Sequence, residues 1–166
     1  MRPHWLAIFV AFLLLSVGVA QGTGPHEVQS SEVEEVPEWV NDGWIMYPSI
    51  DNGTDDLASP LPIVVFFADD GRNARDYEWV GKGLAENGIV VIIIDWSEST
   101  SPKRMANDIL EMVNDTELML GKDANITLAQ NVLLAGHGVG AGIACSLSDS
   151  SLFESGELTD HQIGAV

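Results

Sequence analysis

The sequence predicts an α/β fold, a three-layer sandwich built on a mostly parallel sheet. Three observations carry that expectation. Uninterrupted apolar runs recur at residues 63–68 (IVVFFA), 89–94 (IVVIII) and 131–135 (NVLLA), and short β-branched runs without alternation suit strands covered on both faces. Segments with apolar residues spaced by three and four separate these runs. The last run passes directly into a stretch of small residues, GHGVGAGIA over 136–144. Strand and helix in that order imply right-handed crossovers and helices on both faces of the sheet.

Composition bounds the function. The chain has 166 residues, 46% of them hydrophobic, enough for one packed domain,. Three Lys and four Arg face 25 acidic residues, a net charge of −18. No basic stripe exists to hold phosphates, so nucleic acid is excluded as a partner. A single cysteine, Cys145, excludes an internal disulfide and a Cys-based zinc site,. No metal site and no cofactor are expected. The acidic surplus also suits a protein working in salty water.

Taken in order, the elements begin with an address. Arg2 and His4 precede an uncharged apolar run over 5–20, with small Gly18 and Ala20 at its end. This pattern is that of a secretory signal peptide over residues 1–20, cut near Ala20. The run falls short of the ~20 apolar residues that span a bilayer. The expected location is secreted or extracytoplasmic, with no membrane contact after cleavage and a membrane anchor if the segment stays. Residues 21–40 form an acidic linker in which Glu27, Glu32, Glu34, Glu35 and Glu38 mix with Gly and Pro,. The domain is expected over 41–166.

Within the domain, residues 44–47 (WIMY) read as a strand stopped by Pro48, and 51–58 (DNGTDDLA) as a turn without the ligand spacing of a calcium loop,. Asn73 can cap a helix carrying Tyr77, Val80 and Leu84 on one face, with Gly88 past its end,. Ser101 and Pro102 form a second start signal, followed by Met105, Ile109, Met112 and Val113,. Residues 163–166 look like the opening of one more strand.

The informative centre is Gly136-His137-Gly138-Val139-Gly140. With Ser in place of Gly138 it would be G-x-S-x-G, the nucleophile elbow, a tight strand-to-helix turn that holds its central residue beside backbone N–H groups. On these residues, and on 71–84 (GRNARDYEWVGKGL) and 85–95 (AENGIVVIIID), the chain resembles the N-terminal half of α/β-hydrolases of the dienelactone hydrolase, chlorophyllase and polyester hydrolase (cutinase-like) type. The likeness covers roughly 120 residues, a domain-sized piece. It implies a truncated α/β-hydrolase fold and a family chemistry of ester hydrolysis by a serine nucleophile.

The chain departs from that pattern at three places. Gly138 is the vacant nucleophile position and cannot form an acyl-enzyme,. The family's His-Gly after the first central strand is here Ala68-Asp69, so the oxyanion loop is expected at Asp69 and Asp70, with the N–H of Val139 as the second donor. Two carboxylates there oppose a developing negative charge unless they point away. The family places its acid and histidine on later strands and loops after the elbow, whereas only 28 residues follow Gly138, and the chain is expected to stop inside a sheet, leaving an open edge for self-association. The resemblance therefore implies a non-catalytic esterase relative. The alternative is a secreted binding module whose partner is an ester or apolar small molecule.

Other candidates have blander readings. His137 is structural, beside the elbow. His161 precedes a strand and does not suit a triad. Ser146 and Ser148 lie along a helix, and Cys145 there is a small buried hydrophobe. Asp95 caps the turn after its strand. Trp79 and Trp96 are packing residues. Gly136, Gly138 and Ala141 also match the dinucleotide pattern G-x-G-x-x-A, but Glu157 and Asp160 lie in a polar loop, not at a strand end,. Asn52, Asn114 and Asn125 each begin an N-glycosylation triplet,.

Overall fold

The structure is a computed structural model and describes residues 25–33, 36–49, 60–96, 101–148 and 162–163. The leader, the 51–58 turn, the Asn52 triplet, Glu157, Asp160 and His161 lie outside the described residues.

The α/β class is observed. Six strands form one mixed sheet: β1 (Val28–Glu32), β2 (Val40–Pro48), β3 (Leu61–Phe67), β4 (Val90–Trp96), β5 (Leu128–Gly136) and β6 (Gln162–Ile163), in the order β1-β2-β4-β3-β5-β6. The apolar runs occupy the middle. β3 pairs in parallel with both β4 and β5, and β6 runs parallel to β5. β2 is antiparallel to β4 and β1 is antiparallel to β2. The parallel expectation is thus met in four adjacent strands and corrected at the β1–β2 edge.

β1 corrects a second expectation. Part of the acidic stretch read as a linker is a strand, with Val28 opposite Pro48 and Glu32 opposite Trp44. Glu32 does not repel its surroundings, because Arg75 reaches its carboxylate at 3.0 Å while its guanidinium lies 4.6 Å over the Trp44 ring. An edge strand with one face in water tolerates acidic residues on that face.

Successive side chains of each strand point to opposite faces. Ile63, Val65, Phe67, Val90, Ile92 and Ile94 join one buried cluster, and Val64, Phe66, Val91 and Ile93 join another. Each cluster is closed by helices. α1 (Glu78–Ala85), entered through a 3-10 turn over Ala74–Tyr77, supplies Val80 and Leu84 to the second cluster. Asn73 does act as a cap, but of the 3-10 turn, accepting from the Arg75 N–H at 2.9 Å. α2 (Pro102–Asp123) supplies Met105, Ile109, Met112, Val113 and Leu120 to the first cluster. It starts as expected, with Pro102 in the first turn and the Ser101 hydroxyl accepting from the Arg104 N–H,. α3 (Val139–Leu147) packs on β5 and β3 and adds Ala144 and Leu147 to the first cluster. Burying each such aliphatic side chain stabilises the fold by roughly 1.5–3 kcal/mol, so the β3–β4–β5 core fixes the position of everything at its carboxyl edge.

Candidate functional site

At that edge β5 ends on Gly136 and α3 begins on Val139, leaving two residues for the turn. Gly138 takes φ 57° and ψ −122°. Backbone with positive φ and strongly negative ψ is strained for any residue with a Cβ, so the bend falls at a position where glycine adopts it without penalty. His137 holds the turn down on both sides: its N–H donates to Phe67 O at 3.1 Å, and its carbonyl accepts from the Gly140 N–H at 3.0 Å. Gly140 lies so close to β3 that a Cβ there would meet the Ala68 carbonyl oxygen. Small residues at the start of α3 are therefore a packing requirement: the helix sits directly on the end of β3.

This close approach brings the loop after β3 against the elbow. The Asp69 carboxylate lies over Gly138, and a Cβ built on Gly138 would overlap it. Asp69 Oδ1 accepts from the Val139 N–H at 2.8 Å and from the Asp70 N–H at 3.0 Å. The expected oxyanion donors, Val139 and the Asp70 amide, thus do converge on one oxygen, and that oxygen belongs to Asp69. Of the two carboxylates, Asp69 points toward the N–H groups, with its side chain 30% exposed; Asp70 is exposed and contributes its amide. α3 has no cap side chain of its own, because its N-cap residue is Gly138. Asp69 does that work from 70 residues away,. The Val139 N–H chiefly holds the Asp69 carboxyl below the usual carboxylate value; burial, the next largest effect, opposes it, and the Asp70 N–H, His137 and Arg72 add smaller lowering effects,.

Tyr77 completes the cluster and was not legible as a site residue; its place in a helical apolar pattern gave it to the core. Its ring does pack on Phe66, with centroids 5.1 Å apart. Its hydroxyl accepts from the Asp69 N–H at 3.2 Å and shares a hydrogen bond with His137 Nδ1 at 3.0 Å, whose direction follows the imidazole tautomer. The one available signal was that a buried tyrosine needs a partner for its hydroxyl. His137 Nδ1 lies 3.7 Å from Asp69 Oδ2, with the imidazole half exposed. The His137 imidazole thus touches both the loop after β3 and the turn that enters α1. Trp96 ties the neighbouring strand end to the same loop, its indole N–H donating to Ala68 O at 2.9 Å.

The remaining candidates fall elsewhere. Ser146 and Ser148 bond the helix carbonyls of Ile143 and Ala144. Cys145 is exposed, not a buried hydrophobe, because α3 gives Ala144 and Leu147 to the core instead. Trp79 is 57% exposed rather than packed. Asp95 is buried, and its carboxylate takes hydrogen bonds from Asn41 and Asp42 at the β2 bulge; the turn after β4 that it was expected to cap lies outside the described residues. No cluster of three or more His, Cys, Asp or Glu suited to a metal occurs among the described residues, and no described helix is long and apolar enough to cross a membrane.

The arrangement can hold an oxygen anion between two N–H groups, and it has no hydroxyl or thiol at the bend to attack an acyl carbon. Comparison with models of known protein families found none that matches, and comparison with curated proteins found no match.

Proposed function

We propose that this chain is an exported, non-catalytic relative of serine ester hydrolases, with a three-layer α/β-hydrolase fold whose reaction centre is closed by its own carboxylate. The observation that carries this reading is the pairing of Gly138 with Asp69. The bend that would present a nucleophile is kept, its side chain is absent, and a carboxylate fills the space that a side chain would need. Two further features support it: the loop after β3 and the residue after the bend supply the converging N–H donors, the pairing expected of an elbow,.

The same carboxylate disfavours the dinucleotide reading. A phosphate at the start of α3 would have to displace Asp69 and accept repulsion from it and from Asp70. For ester hydrolysis, Asp69 blocks the position where the acyl oxygen becomes negative, and a carboxylate held below its usual value is a weak general base.

The test is hydrolysis of short-chain aryl esters by the purified chain. The expected rate is that of buffer alone. Turnover well above buffer that disappears in Asp69→Asn would overturn the reading, since it would make Asp69 a working group.

A second reading, a binding module for an apolar small molecule, is favoured by one feature. A groove of about 380 Å³ lies beside α2, floored by Val33, Ile45, Met112 and Met119 and rimmed by Asp115, Lys122 and Asp123. It shares no lining residue with the elbow. Quenching or enhancement of an uncharged fluorescent apolar probe, lost in Met112→Lys with the elbow unchanged, separates this reading from the first.

A further inference from the structure

We propose that Asn125 is the N-glycan acceptor of the folded domain, used in preference to Asn114; the proposal rests on the export proposed above. Both residues begin the triplet Asn-X-Thr,, but the fold treats them differently. Asn114 lies in the middle of α2, between buried Val113 and buried Thr116. The Thr116 hydroxyl, which an acceptor triplet must present, is turned inward and donates to Met112 O at 2.8 Å.

Asn125 follows the end of α2 in the loop that leads to β5. It is exposed and takes φ 53°, the left-handed conformation in which asparagine is favoured among residues with side chains,. Thr127 is exposed as well, while Ile126 between them is buried at 1% exposure. The loop is anchored by the Ile126 N–H on Leu120 O and by the Leu61 N–H on Thr127 O. Asn125 and Thr127 are thus both exposed residues on a fixed backbone. The nine residues of β5 separate this loop from the Asp69–Gly138 contact, a distance of roughly 30 Å at the rise of an extended chain. A glycan on Asn125 leaves that contact untouched.

The transfer needs one co-substrate, a lipid pyrophosphate-linked oligosaccharide. Asn125 Nδ2 forms a C–N bond to the anomeric carbon, the C–O bond to pyrophosphate breaks, the lipid pyrophosphate leaves with the electron pair, and the amide gives up one proton.

The experiment expresses the full chain in a eukaryotic secretory cell with Asn52→Gln, so that the third triplet contributes nothing. An acceptor triplet appended at the C-terminus reports arrival in the lumen. One arm uses the chain's own first residues as leader and the other a leader of proven function. Behind the proven leader, peptide mass spectrometry is expected to find a glycosidase-sensitive mass increment at Asn125 and none at Asn114. The increment is lost in Asn125→Gln and in Thr127→Ala. An unmodified Asn125 in chains that carry the reporter glycan, or a glycan on Asn114, overturns the proposal. Failure of the own-leader arm alone counts against export and leaves the acceptor result standing.

Discussion

Asp69 and Asp95 stand at the carboxyl ends of adjacent parallel strands, yet the fold surrounds them in opposite ways. Asp69 is partly open to solvent and has two backbone N–H groups on one oxygen. Asp95 is 7% exposed; it takes hydrogen bonds from Asn41 and Asp42 at the β2 bulge, but its Oδ1 has no partner among the described residues, and the Asp42 charge lies beside it. The Asp69 carboxyl is held below its ordinary value of 3.8, chiefly by the Val139 N–H, and Asp95 is pushed above that value, chiefly by burial. Both aspartates accept backbone hydrogen bonds, so the sign of the shift is set by how far the donors outweigh desolvation. An anion is at home at the elbow and tolerated at the bulge.

The sharpest way to break this comparison is to put a side chain back at the bend. Gly138→Ser places a Cβ in a strained backbone conformation, costing roughly 1–3 kcal/mol, and forces it onto Asp69, with overpacking of roughly 1–3 kcal/mol more. Chemical denaturation should show the sum as a large loss of stability. Asp69→Gly in the same chain should return the overpacking part and leave the strain. If the two substitutions are simply additive, the Asp69 carboxylate does not occupy that space.

The aspartates themselves should answer pH in opposite directions. For Asp95 the folded value is raised, so the native state holds its proton longer than the unfolded chain. Its contribution is complete below the ordinary value of 3.8 and is lost as pH rises through the folded value,. Asp95→Asn, which stays neutral, should therefore be more stable than the parent by about 1 kcal/mol at neutral and higher pH, with the gain vanishing in acid. Urea midpoints measured across pH read this directly, and a variant weaker than the parent at high pH would mean that the charged form is the one the bulge requires. For Asp69 the folded value is lowered. Its contribution is present above the ordinary value of 3.8 and is lost as pH falls through the folded value,. Asp69→Asn should flatten the acid limb of the melting temperature and leave the alkaline limb unchanged.

These two aspartates also mark where sequence reading reaches its limit. The central strands were legible because their burial on both faces writes itself as unbroken apolar runs, as at Ile92 and Ile93. The bend at Gly138 was legible because close strand–helix packing demands small residues on either side of it. β1 was not, since an edge strand buries too little to impose a pattern: Val28, Gln29, Ser30, Ser31 and Glu32 look like coil until β2 is there to pair with. The inward turn of Asp69 was also hidden. Its partner Val139 is 70 residues away, and no local spacing reports a contact made by two strand ends. The β2 partners of Asp95 were hidden for the same reason, as they come from the antiparallel neighbour and not from its own segment.

The smallest expected effect isolates the loop from the carboxylate it carries. Tyr77→Phe keeps the ring on Phe66 and removes only the hydroxyl that accepts from the Asp69 N–H and bridges to His137. Of the two hydrogen bonds lost, water can replace the one to the half-exposed His137 imidazole, so the cost should be roughly 0.5–1 kcal/mol, one net hydrogen bond. The informative readout is local. Hydrogen exchange at the Asp69 amide should speed up, while the Val139 amide, whose acceptor is the Asp69 side chain, should stay protected if the helix end alone suffices to hold the carboxylate. Loss of protection at both amides would show that Tyr77 positions Asp69, and that the closure over Gly138 is built from the β3 side and not from the helix.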